Sequence, residues 1–539
     1  AGRPGCMERP GWYNQDVFKK ITHRITQHMK RPNLLQIFKN SDIQLLIFLI
    51  FFLNVKFVVK VLAIIFMIVC SRNFKFGFSL KNSRLPLFYL SIILLEIAKY
   101  LLVVRNYNLD YTLVFSMGIL QWTLCLLSIH YLKLHIDRND AGKTHDTIRV
   151  FFILNFLASV FFLAILIIHP AWLTYWGHGA DITLNSPSAG DTILGISFDT
   201  STVNATINCL GLIYFLYKKD YVFCLVNILT IVLCTSNVTF FIMLAILILM
   251  IITVRERKLR IRTLICSLVF LFLYLLFSPK NRTYIRNYFI QLYVLNKNPK
   301  RQQVTDSVLI QVKGSDSMIM VKRTEAVPDS IFSYSNKKLE KAVGNLISFR
   351  DLRQNDSGYL IVPDIIYDTK PGKFISFMQT YFYFRSSLKH FLFGAGIGNF
   401  SSKLAFRASG VGALGSYPER FRYSSTDFKY YHLRTYLYYY HADASMHSVL
   451  NYPFSVYNQV PGEYGFTGVL LFAIFYLGYF ASKYRRLSYG RYLLIILLGF
   501  FFMEYWFESF SLIVIFELFM LLNIKEGREI STASEREHT

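Results

Sequence analysis

IRVFFILNFLASVFFLAILIIHP, residues 148–170, has one charged side chain, Arg149, followed by an almost unbroken run of apolar residues. A helix needs about 20 such residues to cross the roughly 30 Å hydrocarbon core of a bilayer. Similar runs recur along the 539-residue chain, of which 53% is hydrophobic and 17% is aromatic. This composition excludes an ordinary soluble domain and predicts an all-α integral membrane protein.

About twelve apolar runs along the chain predict transmembrane helices. The first two are short and are separated only by NVK (54–56), which indicates a helical hairpin. The predicted spans are 43–53, 57–70, 85–104, 110–132, 148–170, 197–217, 221–237, 238–254, 261–277, 464–482, 491–508 and 509–524.

Lys and Arg predict the orientation of these spans. Connections on the side of the N terminus are basic, as in SRNFKFGFSLKNSR (71–84) and RERKLRIR (255–262). HPAWLTYWGHGADITLNSPSAGDTILG (169–195), on the opposite side, has no Lys or Arg. Because basic loops stay in the cytoplasm, we expect both termini to be cytoplasmic.

The spans and loops divide the chain into five regions. We expect a basic cytoplasmic segment at 1–42, helices 1–9 within 43–277 and one large, partly helical external loop at 278–462. Helices 10–12 follow at 463–524, and a cytoplasmic tail occupies 525–539.

The net charge of +25 first suggests nucleic acid, but in a membrane protein it mainly records topology. The external loop contains 24 Lys and Arg against 12 Asp and Glu. Two interpretations remain open for this excess. It is either a solvated basic face attracted to anionic headgroups or a site for an anionic substrate such as a lipid pyrophosphate.

GAGIGN, with Gly394, Gly396 and Gly398, looks like a phosphate-binding loop. It lies in the predicted external loop, where free ATP is scarce, and no strand or βαβ pattern surrounds it. We therefore expect a tight turn at a helix end, where glycines let the backbone approach a partner closely.

Aromatic and basic residues dominate the loop from 372 onward. Residues 373–391 predict an amphipathic helix on the membrane surface. A tyrosine cluster follows, which would either stack on sugars or form an interfacial belt. Its members are Tyr430, Tyr431, Tyr436, Tyr438, Tyr439 and Tyr440.

Several carboxylates lie inside predicted spans, where a charge is costly. Glu96 and Lys99 share a helical face at i, i+3, so we expect them to pair or to face a cavity. The same expectation applies to Glu504, Glu508 and Glu517. A proton-coupled transporter would also use carboxylates of this kind.

Four features follow one another in the predicted external loop and at its end: a Gly-Lys start at 372–373, a helix, FLFGAGIGNF (391–400), and a later His-containing stretch that ends in GEYGFTG (462–468). In this order they resemble the O-antigen polymerase and O-antigen ligase superfamily. The resemblance implies a GT-C-like architecture in the bacterial inner membrane. It also implies inverting, metal-independent and cofactor-free transfer of a glycan from undecaprenyl pyrophosphate. The external loops contain no acidic cluster for a divalent metal.

The resemblance also assigns site residues. Lys373 stands where the family commonly has Arg, and Arg385 and Arg407 bracket the glycine turn; all three are candidates for pyrophosphate contacts. Arg385 is also expected to be catalytic, since Arg stabilises a pyrophosphate leaving group well.

The family's general base lies eight residues before the Glu of an E-x-G ending, a position that Ser455 occupies here. His447 is the nearest candidate base. Candidates for acceptor or glycan contacts are Arg434, His441, Tyr457, Asn458 and Glu463.

These observations favour a polymerase of lipid-linked repeat units. A ligase that transfers the glycan to lipid A core or to protein shares its fold and donor, and a flippase, another transporter or a scaffold remain alternatives from other classes. The expected partners are the lipid-linked glycan, membrane lipids and a chain-length regulator protein, with no nucleic acid.

Overall fold

A computed structural model of the protein describes most of the chain outside its termini and several connections. The described residues are 34–70, 84–103, 108–169, 193–277, 307–311, 318–322, 353–354, 360–361, 370–410, 421–441 and 449–538. The chain divides into two compact units, Ala1–Tyr274 with Phe466–Thr539, and Leu275–Gly465.

Helices dominate the described chain. In order they are α1 (Leu34–Asn40), α2 (Ile43–Phe52), α3 (Phe57–Cys70), α4 (Arg84–Val103), α5 (Leu109–Arg138), α6 (Ala141–Ile168), α7 (Ser201–Lys218), α8 (Tyr221–Leu233), α9 (Asn237–Thr253), α10 (Arg257–Phe277), α11 (Gly372–Ser386), α12 (Leu388–Phe393), α13 (Lys403–Ser409), α14 (Thr426–Phe428), α15 (Arg434–His441), α16 (Val456–Leu471), α17 (Gly478–Ala481), α18 (Gly490–Met503) and α19 (Phe510–His538). Wider π-turns occupy Lys429–Leu433 and Phe472–Leu477, and single 3-10 turns occupy Gly195–Ser197, Tyr484–Arg486 and Trp506–Glu508.

Four short strands accompany the helices in the second unit. β1 (Ser307–Gln311) pairs antiparallel with β2 (Met318–Lys322), and β3 (Arg353–Gln354) pairs with β4 (Leu360–Ile361).

Five helical segments among the described residues are long and apolar enough to cross a membrane, judged by length and composition: Leu85–Leu102, Leu109–Arg138, Ala141–Ile168, Arg257–Phe277 and Val456–Arg486. Five shorter apolar helices accompany them: Ile43–Phe52, Phe57–Cys70, Tyr221–Leu233, Asn237–Thr253 and Gly490–Met503. The chain is thus a mostly helical, multi-pass membrane protein. Twelve spans stay a prediction, and most of the connections 71–84 and 169–195 lies outside the described residues.

Two connections are more helical than the sequence predicts. Between α5 and α6 only Asn139 and Asp140 are non-helical, because the Asp140 carboxylate caps α6 by accepting from the amide of Gly142 at 3.0 Å. The predicted tail is helical through His538, and an ion pair of 2.5 Å joins Glu526 to Lys218.

Buried asparagines distinguish α7 from an ordinary apolar span. The side chain of Asn155 donates to Asn204 at 2.9 Å, and Asn204 donates to Ser159 at 3.0 Å. Asn208 also donates to the Asn204 side chain, at 3.0 Å. These bonds satisfy the side-chain amide nitrogens of all three asparagines within the first unit, which helps α7 to tolerate polar residues.

The expected pairing of Glu96 with Lys99 is confirmed. Their charged groups lie 2.5 Å apart, and both residues are buried. Arg149, in the stretch quoted at the outset, is likewise neutralised, by Asp146 at 2.9 Å and Asp220 at 2.6 Å.

The second unit has an aromatic core around α11 and α15. Ile375, Tyr383, Phe400, Tyr431 and Tyr439 are buried together in it. The tyrosine cluster, expected either to stack on sugars or to form an interfacial belt, is therefore not displayed on one surface. Tyr431, Tyr436 and Tyr439 lie in the interior, whereas Tyr430 is 41% exposed.

The predicted helix 373–391 is two helices. Ser387 adopts an extended backbone conformation between α11 and α12, and its hydroxyl oxygen accepts from the amide of His390 at 3.1 Å. A serine at this position ends one helix and caps the next.

Candidate functional site

One face of α11 carries a buried row of polar groups. Lys373, Ser376, Thr380 and Tyr383 follow one another at helical spacing, and each is at least 96% buried. The opposite face carries Phe374, Tyr381 and Arg385, which are exposed. The apolar-inside pattern of a surface helix is thus partly replaced by polar residues that must find partners inside the unit.

The Thr380 hydroxyl connects three segments of the second unit. Its oxygen lies 2.8 Å from the side-chain oxygen of Asn458 in α16 and 3.1 Å from Nε2 of His432 in the π-turn. Nδ1 of His432 lies 2.6 Å from the hydroxyl of Ser401, which follows the glycine turn. We call Ser376, Thr380, Ser401, His432 and Asn458 the polar network.

Burial sets the charge state of the imidazole. The pKa of His432 is lowered to about 3, mainly because burial removes its hydration; a backbone hydrogen bond to Ser376 opposes this shift, and the nearby Lys373 adds to it. The ring is therefore neutral near pH 7. The tautomer that fits the network carries the proton on Nε2 and accepts from Ser401 through Nδ1.

Asn458 and Ser376 complete the polar network. The Asn458 amide nitrogen donates to the Ser376 hydroxyl at 2.9 Å and to the carbonyl of Pro453 at 2.8 Å. The Ser376 hydroxyl donates to the carbonyl of Lys373 at 2.8 Å. Asn458 thus ties the start of α16 to α11 through both ends of its amide.

Lys373 lies in the interior and not on the surface. The residue is 1% exposed, its ammonium donates to the carbonyl of Phe454, and its amide donates to the carbonyl of Leu450 at 2.8 Å. These contacts fix the segment before α16 onto the start of α11.

The glycine turn is a helix-end turn, as its sequence predicts. Gly394 caps α12 with φ 65°, and Gly396 and Gly398 also have positive φ. A Cβ atom on Gly394 would lie 2.7 Å from the backbone of Glu463. The glycines thus allow two backbones to meet, which a side chain would prevent.

A break in α16 supplies the partners of this turn. Gly465 is non-helical within the helix, with φ 65° and ψ −165°, so the turn before it cannot complete its regular hydrogen bonds. The carbonyls of Gly462 and Glu463 instead accept from the amides of Ala395, at 2.8 Å, and Gly396, at 2.9 Å.

The Glu463 side chain closes the same junction. Its carboxylate accepts from the amide of Gly398 at 3.0 Å, and the residue is fully buried. Gly462 is in equally close contact, because a Cβ atom there would lie 2.1 Å from the Phe400 ring. The glycine turn and the E-x-G ending therefore form one packed element.

The other predicted site residues lie at several places on the second unit. Arg385 is exposed and donates to the Tyr381 hydroxyl at 3.0 Å. Arg407 is half-buried in α13, and Arg434 is exposed at the start of α15. Tyr457 is 42% exposed beside the buried Asn458.

The two predicted histidines lie at or beyond the edge of the described residues. His441 ends α15, and its side chain is outside the described part of the chain. His447, the expected base, lies outside the described residues altogether.

Sequence reasoning missed His432. It lies in KYYHLRTY (429–436), away from the glycine turn and from the E-x-G ending, so no motif spacing marks it. The sequence offers one indication of a polar inner face: His432 lies three residues before Thr435, so both lie on the same side of a helix. Thr435 is also buried, and its hydroxyl donates to the side chain of Gln379 at 2.9 Å.

Comparisons with known proteins identify no relative. No family model matches the sequence, no curated protein matches it, and no solved structure matches the fold.

The chemistry of the site is that of neutral hydrogen-bonding groups beside cations. Hydroxyls, amides and a neutral imidazole can hold a polar ligand or position a neighbouring segment, and Arg suits phosphate groups. Among the described residues, no group of three or more His, Cys, Asp or Glu is arranged to hold a metal ion.

Proposed function

We propose that this protein polymerises undecaprenyl-pyrophosphate-linked oligosaccharide units into a surface polysaccharide. It does so on the periplasmic side of the bacterial inner membrane, with twelve spans, a GT-C-like architecture and both termini in the cytoplasm. The hydroxyl of an acceptor sugar attacks the anomeric carbon of the donor with inversion. Undecaprenyl pyrophosphate leaves, and a base takes the hydroxyl proton.

One observation carries the proposal. The E-x-G ending is distant in sequence from helix α11 and the glycine turn, yet it packs against both in one unit through Gly394–Glu463, Thr380–Asn458 and Lys373–Phe454. These are the segments on which the resemblance to the polymerase and ligase superfamily rests. Their joint packing supports one site assembled from all three.

The residues then take different roles. Exposed Arg385 stabilises the charge that develops on the pyrophosphate, assisted by Arg407. Lys373, which is buried, acts by holding the polar network in place. Arg434, His441 and Tyr457 contact the acceptor glycan, Asn458 and Glu463 fix the segment that carries it, and His447 serves as the base. A chain-length regulator protein is the expected partner.

The experiment is a gene deletion in the source bacterium, with surface polysaccharide resolved by gel electrophoresis. A polymerase deletion leaves lipid A core that carries a single repeat unit. Long lipid-linked chains behind a bare core would identify a ligase instead, and an unchanged ladder would contradict both. Complementation then compares the wild-type protein with Arg385→Ala. A defect that persists although the Arg385→Ala protein is present in the membrane is a loss of chemistry and not a loss of protein.

A further inference from the structure

The first unit contains a buried carboxyl group without a cationic partner. Glu517 in α19 is fully buried, and its Oε1 accepts from the hydroxyl of Tyr89 in α4 at 2.5 Å. Its Oε2 has no hydrogen-bond partner among the described residues. No described lysine or arginine forms an ion pair with it.

Glu96 provides a contrast within the same unit. Both carboxylates are at most 1% exposed, but Glu96 has the ammonium of Lys99 at 2.5 Å. A buried carboxylate retains its charge only where a cation or several donors compensate for lost hydration. Glu96 meets this requirement, whereas Glu517 does not.

Aromatic rings form the surroundings of Glu517. Tyr89 lies 5.9 Å from Trp122, and Tyr476 lies 5.3 Å from Phe507, measured between ring centroids. The titratable groups that face the carboxyl are Tyr89, Tyr476, Tyr479 and Cys125, all neutral at ordinary pH. None of them carries a positive charge, so only hydrogen bonds from tyrosine hydroxyls, such as that of Tyr89, oppose the loss of hydration of a charged Glu517.

We propose that Glu517 is a proton-binding site of the first unit and carries its proton at neutral pH. In that form Oε1 accepts from Tyr89, and the protonated Oε2 can donate toward the Tyr476 hydroxyl, which also accepts from Trp506 at 3.4 Å. The proton keeps the contact between α4, α19 and the Phe472–Leu477 turn uncharged. Release of the proton would place a charge among these aromatic rings.

Infrared spectroscopy of the full-length protein in lipid tests this assignment. The wild-type spectrum minus that of Glu517→Gln, recorded at pH 7, should contain the C=O stretch of a protonated carboxylic acid. A matched Glu96→Gln difference should contain carboxylate bands. Carboxylate bands in the Glu517→Gln difference would overturn the proposal.

A second variant keeps the test decisive if Glu517→Gln does not fold. Tyr89→Phe removes one hydrogen bond and preserves the ring, so it should shift the acid C=O band to higher frequency. A shift confined to carboxylate bands would show that the group is ionised. Neither experiment depends on glycan transfer, so its outcome is separate from that of the proposed function.

Discussion

Nδ1 of His432 lies 2.6 Å from the hydroxyl oxygen of Ser401, and the imidazole is completely buried. This contact joins the π-turn to the segment that follows the glycine turn. Because the Thr380 hydroxyl donates to Asn458, the tautomer that fits the network carries its proton on Nε2, and Nδ1 then accepts from the Ser401 hydroxyl.

The stability of the second unit should therefore fall as the pH drops below about 6.5. The pKa of His432 is lowered to about 3 in the folded protein, so the unfolded chain binds a proton more readily between these two values. We expect a loss of about 1.4 kcal/mol in the free energy of unfolding for each pH unit in this window. Thermal unfolding at several pH values measures it.

The control for this pH dependence is His432→Gln, which keeps hydrogen-bonding capacity but does not titrate. The variant should have a flatter profile between pH 6.5 and 4. An equally steep profile would assign the effect to other groups, such as His390, whose pKa burial also lowers.

Glu463→Ala should destabilise the second unit. The substitution removes the acceptor of the Gly398 amide in a fully buried position, which costs about 1–3 kcal/mol. Glu463→Gln retains a side-chain oxygen at this position and should lose less. Equal melting temperatures for the alanine variant and the wild type would show that this bond does not hold the turn.

Gly462→Ala should prevent correct folding. Its Cβ atom would lie 2.1 Å from the Phe400 ring, which is itself fully buried. Gly478→Ala is the matched control, because its Cβ would meet only one backbone oxygen, at 3.1 Å. Size-exclusion chromatography of the two purified variants should give monodisperse protein for Gly478→Ala alone. Monodisperse Gly462→Ala protein with normal stability would contradict the described packing.

Arg385→Ala should abolish glycan transfer without loss of stability. The guanidinium is exposed, and its hydrogen bond within the described structure is to Tyr381, so the stability change should stay within about 0.5 kcal/mol. Lys389→Ala, also exposed, tests whether any nearby positive charge suffices. Full activity of Arg385→Ala in a purified assay would remove this residue from the site.

The sequence predicts features that depend on local spacing or on bulk composition. Apolar runs predict helices such as α6, the i, i+3 spacing of Glu96 and Lys99 predicts their ion pair, and GAGIGN predicts a helix-end turn. Each follows from residues close in sequence or from transfer to lipid.

Features that depend on distant partners could not be predicted in this way. The burial of Lys373 requires the carbonyl of Phe454, and the buried imidazole of His432 finds its hydrogen-bond partners, Ser401 and Thr380, in other segments. Likewise, apolarity makes α7 look like a lipid-facing span, although its asparagines find partners inside the protein. Only the fold brings such groups together.

The break at Gly465 has a consequence for the order of folding. Because the carbonyls of Gly462 and Glu463 accept from the amides of Ala395 and Gly396, these hydrogen bonds form only when the two segments meet, and until then water must solvate the same groups. All the chain between them, including His432, must first be closed into a loop, and this costs conformational entropy before any bond compensates for it. The second unit therefore gains its polar interior through a non-local and intrinsically slow step.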